Sequence, residues 1–132
     1  MEKEFIPYEQ ALELKELGFN RKCLGQFSTH QGDTWLFSLD LSGEGQYPSN
    51  SRACLAPTYS QAFRWFRDTH NMLANVYSNA SGFLFEYHDT IGGTHRYDSE
   101  FSGPNDGGCW DTYEETELEC LKKLIQIVKE KN

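Results

Sequence analysis

Apolar residues recur at helical spacing in three parts of the chain and at spacing two in the segments between them. The segments "PYEQALELKELGF", "PTYSQAFRWFRDTHN" and "DTYEETELECLKKLIQIVK" begin alike, each with a tyrosine followed by polar side chains. In the second segment Thr58 and Gln61, and in the third Thr112 and Glu115, have capping-box spacing. There a hydroxyl and an amide or carboxyl group each take up a backbone N–H that the first helical turn leaves unpaired. In the first segment Pro7 suits the first helical position, where its missing N–H would have had no partner. Gly18 is expected to end that helix in a left-handed conformation, with Phe19 folded back toward Leu14. The second helix carries Tyr59, Phe63, Phe66 and His70 as a stripe, with Ala62 and Trp65 beside it and Asn71 as its stop. The third carries Leu118, Leu121, Leu124, Ile125 and Val128 on one side.

Three apolar helix faces need a cover, and the period-two segments predict a sheet. "TWLFSLDL" puts Trp35, Phe37, Leu39 and Leu41 on one side of a strand. A three-residue turn through Gln31, Gly32 and Asp33 sets Phe27 opposite Phe37 and Cys23 opposite Leu41. A register one residue tighter pairs Phe27 with Leu36 and scatters the apolar positions, so the three-residue turn is predicted. The second hairpin is "GFLFEYHDTIGGTHRYDSEF". With residues 89–93 as its loop, Phe85 faces Tyr97 and Glu86 faces Arg96, leaving one aromatic and one polar face. "NVY" at 75–77 adds a short strand, "SNASG" reads as a turn, and 42–53 and 102–111 read as loops. The prediction is a single α+β domain over residues 1–132: an antiparallel sheet of two hairpins packed against three helices, in the order αββαββα. Tyr8, Tyr59 and Tyr113, spaced 51 and 54 residues apart, raise an internal helix–hairpin duplication, against which stands the dissimilarity of the two hairpins.

With 132 residues, 38% of them hydrophobic, the chain has enough apolar surface for one core and too much for a disordered segment. The net charge of −8 is concentrated: between Glu86 and Glu119 stand ten carboxylates and one basic residue, Arg96. A nucleic-acid backbone would be repelled there, so nucleic-acid binding is not expected. "MEKEFIPYEQ" has acids where a secretory leader has basic residues and an apolar run. No stretch approaches a membrane span, and a cytoplasmic protein, monomeric or a small homo-oligomer, is expected. Cys23, Cys54, Cys109 and Cys120 are widely spaced and read as buried free thiols rather than as a disulfide or metal set.

No Walker loop, HExxH, GxSxG or paired CxxC occurs, and "SGEG" at 42–45 is followed by Gln, Tyr and Pro rather than by a helix that would complete a phosphate cradle. No catalytic residue, cofactor or metal ligand is assigned. The candidate ligand site is the polar face of the second hairpin, where Glu86 and His88 are expected near Arg96, Asp98 and Glu100. Histidine beside carboxylates suits acid–base chemistry or a weak metal site; the plainer reading is an exposed sheet face with one cross-strand ion pair. His95 falls on the aromatic face. Trp65, beside Arg64, and Trp110 are candidate protein-contact residues, with core packing as the alternative. Glu114, Glu115, Glu117 and Glu119 precede Lys122, Lys123, Lys129 and Lys131 along the third helix, a gradient that matches the helix macrodipole without any partner. Glu114 and Glu117 are nevertheless kept as candidate protein contacts.

"YEQALELKELGF", "YSQAFRWFRDTHN" and "TYEETELECLKKLIQIVKEKN" resemble a family of small uncharacterised proteins encoded by Bacteroidetes-type gut bacteria and their phages or mobile elements. The family's last motif carries Ala where this chain has Thr116 and Glu119, and the hairpins and the 42–53 loop match less well. The resemblance implies a small intracellular protein of accessory or phage-related genes, and supplies neither an activity nor catalytic residues. The expected function is thus a non-catalytic interaction or regulatory protein of unknown partner. Its rivals are an acidic mimic that fills a basic protein groove, and a small-ligand or metal-dependent enzyme built on the second hairpin.

Overall fold

The computed structural model describes residues 4–21, 23–30, 33–38, 54–91 and 94–131. Its elements are α1 (Tyr8–Glu16), β1 (Gly25–His30), β2 (Asp33–Ser38), β3 (Cys54–Ala56), α2 (Tyr59–His70), β4 (Leu73–Asn79), β5 (Gly82–Ile91), β6 (Thr94–Glu100) and α3 (Tyr113–Lys131). The class is α+β, with the predicted alternation of helices and hairpins, and each hairpin carries a third antiparallel strand. The chain forms two compact units, Met1–Ala62 and Phe63–Asn132, whose boundary falls inside α2.

In the first unit Pro7 is the N-cap of α1 rather than its first helical residue, with ψ 154°. That extended ψ lets the chain arrive from a strand-like stretch: Phe5 bridges Thr58, and the Ile6 N–H donates to the Pro57 carbonyl at 3.1 Å. At the other end Gly18 has φ +97°. The N–H groups of Phe19 and Gly18 donate to the carbonyls of Leu14 (2.9 Å) and Lys15 (3.1 Å), the paired bonds of a Schellman stop. Leu14 and Phe19 are both buried, as the sequence predicts.

The first sheet runs β2-β1-β3. Here the predicted register is wrong by one residue: Phe27 pairs with Leu36, not Phe37, and His30 pairs with Asp33 across a two-residue connection. Two-residue connections match the right-handed twist of the strands best. The scattering that argued against this register is offset by a strand the sequence reading missed, because β3 puts Cys54 beside Phe27 and completes a Cys54–Phe27–Leu36 row. The proposed Cys23–Leu41 pairing, the Leu39 and Leu41 positions and the 42–53 loop lie outside the described residues.

At the start of α2 the capping box is complete: the Thr58 N–H donates to Gln61 Oε1 at 2.9 Å, and the Gln61 N–H to Thr58 Oγ1 at 3.2 Å. Tyr59, Ala62, Trp65 and Phe66 are buried, while Phe63 and His70 are only partly so. Asn71 ends the helix with φ +58°.

The second unit builds the sheet β4-β5-β6. "NVY" lies within β4, which runs the full Leu73–Asn79, and the Ser81 N–H donates to Asn79 Oδ1 at 2.8 Å in the turn that follows. β5 and β6 are also joined by two residues, with Ile91 paired to Thr94. The shorter connection keeps residues 89–91 in the ladder, where their backbone groups find partners. As a result Phe85 faces Glu100 and Glu86 faces Ser99, a three-residue departure from the predicted register. Beyond the end of β6, Trp110 takes the place beside Phe83: each N–H donates to the other's carbonyl at 2.9 Å, and the Trp110 ring stacks on Phe85 with centroids 5.6 Å apart.

The 102–111 segment, expected to be structureless, is a knot of backbone hydrogen bonds. The N–H groups of Gly103, Gly108 and Asn105 donate to the carbonyls of Gly108 (2.7 Å), Asn105 (2.9 Å) and Cys109 (2.9 Å). It feeds Thr112, whose hydroxyl accepts the Glu115 N–H at 3.1 Å and caps α3. α3 buries Thr116, Cys120, Leu121, Leu124, Ile125, Ile127 and Val128 and packs against β4 and β5. The two sheets are wired differently, β2-β1-β3 against β4-β5-β6, so the similar helix starts do not extend to a duplicated topology.

Candidate functional site

The β5 register decides what the second hairpin can do. Side chains alternate across a strand, and residues paired in register share a face. Glu86 and His88 share one face with Ser99 and Tyr97; Arg96, Asp98 and Glu100 occupy register positions on the other, with Asp89, Tyr87 and Phe85. The five residues predicted as one polar site are therefore divided between the two faces of the sheet. The expected Glu86–Arg96 pairing is replaced by Asp89 opposite Arg96. The divided arrangement follows from an odd shift in register, which reverses the face of every residue on β6 relative to β5.

On the face covered by α3, the carboxylates are used structurally. Asp89, fully buried, lies 3.4 Å from Lys131 Nζ at the end of α3, and Glu100 lies 3.8 Å from Lys123. Asp98 accepts from the Tyr87 hydroxyl at 3.3 Å and from the Ser99 N–H at 2.9 Å. A pocket of about 180 Å³ lies beside these groups, lined by Phe85, Glu100, Ser102, Glu119, Lys122 and Lys123 among others. It is smaller than the roughly 300–1,000 Å³ of ordinary ligand pockets, and its charges are matched: Lys122 stands 3.3 Å from Glu119.

The opposite face is buried at Leu84 and exposed at Leu73 and Tyr97. Leu73, His88 and Tyr97 form one cross-strand row, and Asn75, Glu86 and Ser99 the next. Leu73 is 48% and Tyr97 64% exposed. Glu86 accepts hydrogen bonds from the Tyr97 hydroxyl and, at 3.4 Å, from Asn75 Nδ2. The Tyr97 hydroxyl, held by the Glu86 carboxylate, is pushed above its usual pKa. The arrangement orients an aromatic ring and a carboxylate on a strand surface, with Glu86 in the row next to His88. Among the described residues no group of three or more His, Cys, Asp or Glu is arranged to hold a metal ion.

The other predicted contact residues divide. Trp65 and Trp110 are 3% and 7% exposed and belong to the core, which corrects their reading as contact residues. Their indole surface is taken up within the fold: Trp65 packs edge-on to Phe66 and His70, Trp110 stacks on Phe85. Glu114 is exposed, whereas Glu117 is half-buried; burial first, and then the Glu114 charge, raise its pKa to about 7. All four cysteines are free and buried, and burial pushes the Cys23 and Cys54 thiols up to about 11 and Cys120 to about 12. The sequence reading missed Leu73, Asn75 and Tyr97. The signal that could have found them is the Gly92–Gly93 pair, read as a complete two-residue turn.

No family model, no curated protein and no solved structure matches this chain. Among the described residues no helix is long and apolar enough to cross a membrane.

Proposed function

We propose that the chain is a small non-catalytic interaction or regulatory protein that engages a protein partner through the exposed Leu73–Tyr97 part of the β4, β5 and β6 face. The observation that carries this reading is the row Leu73–His88–Tyr97, in which an exposed aliphatic and an exposed aromatic side chain flank the half-buried His88. Apolar and tyrosyl surface of this kind, rimmed by polar groups, is the usual make-up of an interface centre. The enzymatic alternative, built on His88, Glu86 and Asp98, loses Asp98 to the other face and retains Glu86 and His88 on one. We place the protein in the cytoplasm of a Bacteroidetes-type gut bacterium, or among the genes of its phages and mobile elements, on the three motifs that resemble that family.

The acidic-mimic alternative is supported by the exposed Asp106, Asp111, Glu114 and Glu115 around the start of α3. It is weakened by the pairing of Asp89, Glu100 and Glu119 with lysines and by the raised pKa of Glu117. One experiment separates the two readings. Wild type, a Leu73→Ser/Tyr97→Ser variant and a Glu114→Gln/Glu115→Gln variant are immobilised, and proteins captured from a host lysate are identified by mass spectrometry. A partner lost only by the first variant, with its circular dichroism unchanged, is the expected result. Retention by the first variant and loss by the second would overturn the sheet-face reading in favour of the acidic one.

A further inference from the structure

The two edges of the second sheet are built differently. β6, Thr94–Glu100, carries the charged Asp98 and Glu100 along the strand. The Asp98 carboxylate also takes the Ser99 N–H at 2.9 Å, a backbone donor that would otherwise point away from the sheet. Charge and blocked backbone donors are the devices by which sheet edges avoid further pairing. β4 has neither. Its sequence, LANVYSN, contains no charged residue and no proline over seven positions. Leu73, Asn75, Ser78 and Asn79 are exposed.

The register identifies which β4 backbone groups face outward. Asn79 and Gly82 close a hairpin of two connecting residues, so the hydrogen-bonded pairs of the β4–β5 ladder are Asn79–Gly82, Tyr77–Leu84, Asn75–Glu86 and Leu73–His88. Phe83 agrees with this assignment, because its N–H and carbonyl are both spent on Trp110, away from β4. Ala74, Val76 and Ser78 therefore direct their N–H and carbonyl groups away from β5. Among the described residues nothing caps them as Asp98 caps Ser99.

We propose that this edge is a self-pairing surface, on which two copies of the chain join β4 to β4 antiparallel about a two-fold axis at Val76. The edge is complementary to itself in that register. Val76 meets Val76 of the second copy, and Ala74 and Ser78 meet Ser78 and Ala74, giving about six backbone hydrogen bonds and placing valine against valine on one face. Asn75 then lies opposite Tyr77, and Leu73 opposite Asn79. The charge distribution selects the occupant. A chain of net charge −8 repels its own copy over most of its surface, whereas β4 brings no charge to the join. With no charge along it to choose a foreign strand, β4 fits best the one strand that matches it position for position. The result is a continuous six-stranded sheet with an isologous interface. This surface is the sheet's edge and stands independently of the partner face proposed above.

The test is the oligomeric state of the full chain, by light scattering and sedimentation over a concentration series. Wild type is expected to reach twice the chain mass. Val76→Pro removes an outward donor without touching the β4–β5 ladder, which edge strands tolerate, and is expected to give a monomer with unchanged circular dichroism. Ser99→Pro, the corresponding change on β6, is expected to leave the dimer intact. Val76→Cys guards against a Val76→Pro variant that does not fold. Hydrogen-bonded antiparallel partners have Cα atoms about 5.5 Å apart, within disulfide reach, so oxidised glutathione should convert the Val76→Cys protein to a covalent dimer. A wild type that stays monomeric throughout, a folded Val76→Pro dimer, or a Val76→Cys protein that does not cross-link would each overturn the proposal.

Discussion

Burial on the flank of α3, and then the Glu114 charge, lift the Glu117 carboxyl from its ordinary 4.5 to about 7. At this residue the linkage between charge and stability can be read directly. A carboxyl whose folded pKa is raised binds more protons in the folded than in the unfolded chain between those two values, so stability falls as pH rises across that window and is fully present below it. Glu117→Gln, which cannot ionise, is expected to match the parent near pH 4 and to exceed it by ~1 kcal/mol at pH 8, a figure discounted for the half-exposed position. Denaturant midpoints at the two pH values measure this, and equal midpoints at pH 8 would put the carboxyl in solvent. Gly82 makes a second residue-scale case. Its φ is +142°, and a Cβ there would stand 2.5 Å from the Trp110 carbonyl oxygen. Gly82→Ala should therefore cost on the order of 2 kcal/mol or more, and quench or shift the Trp110 fluorescence contribution as that segment moves. Neither feature was legible in the sequence. The glutamate run reads as a dipole gradient whatever its burial, and "SNASG" names a turn without saying that Trp110 lies over it.

At the scale of the element, what depends on residues three or four apart was legible, and what depends on a turn's length was not. The α2 capping box, the Thr112 cap of α3 and the Gly18 and Asn71 stops follow from contacts inside one helical turn, so spacing alone specifies them. Register is different. Removing one residue from a hairpin connection reverses every face beyond it, and here both hairpins chose the two-residue form. The error at the second hairpin joined five residues into a site that the sheet divides, while the error at the first was compounded by β3, three residues before Pro57 too short to show a period. The two caps also differ in depth, which yields a comparison. Thr58 is 9% exposed and exchanges both capping bonds with Gln61, whereas Thr112 is exposed and accepts one. Thr112→Ala is expected to cost roughly 1 kcal/mol and Thr58→Ala closer to 2. Chemical denaturation of the two variants checks the order, and a larger loss at Thr112 would assign the α3 start a greater share of the stability than its cap geometry gives it.

The molecule as a whole carries a built-in set of reporters of how it opens. Cys23 and Cys54 lie in the first compact unit and Cys109 and Cys120 in the second, and none is more than 2% exposed. Only a thiolate reacts readily, and burial holds Cys23, Cys54 and Cys120 at about 11, 11 and 12, so modification in the native state must wait for an opening that admits solvent. The unit boundary between Ala62 and Phe63 falls inside the continuous helix α2, whose cap at Thr58 and stop at Asn71 belong to different units. Neither unit can unfold without breaking that helix, so both pairs of thiols should become reactive at one denaturant concentration, coincident with loss of helical circular dichroism. Pulse labelling across a urea series, read by peptide mass spectrometry, assigns the exposure midpoint of each cysteine. The expected outcome is four coincident midpoints and, without denaturant, an intact mass fitting four reduced thiols with little label. Midpoints that separate into a Cys23–Cys54 pair and a Cys109–Cys120 pair would show two independently folding units, and the reading of residues 1–132 as a single domain would give way to one in which α2 is the joint between them.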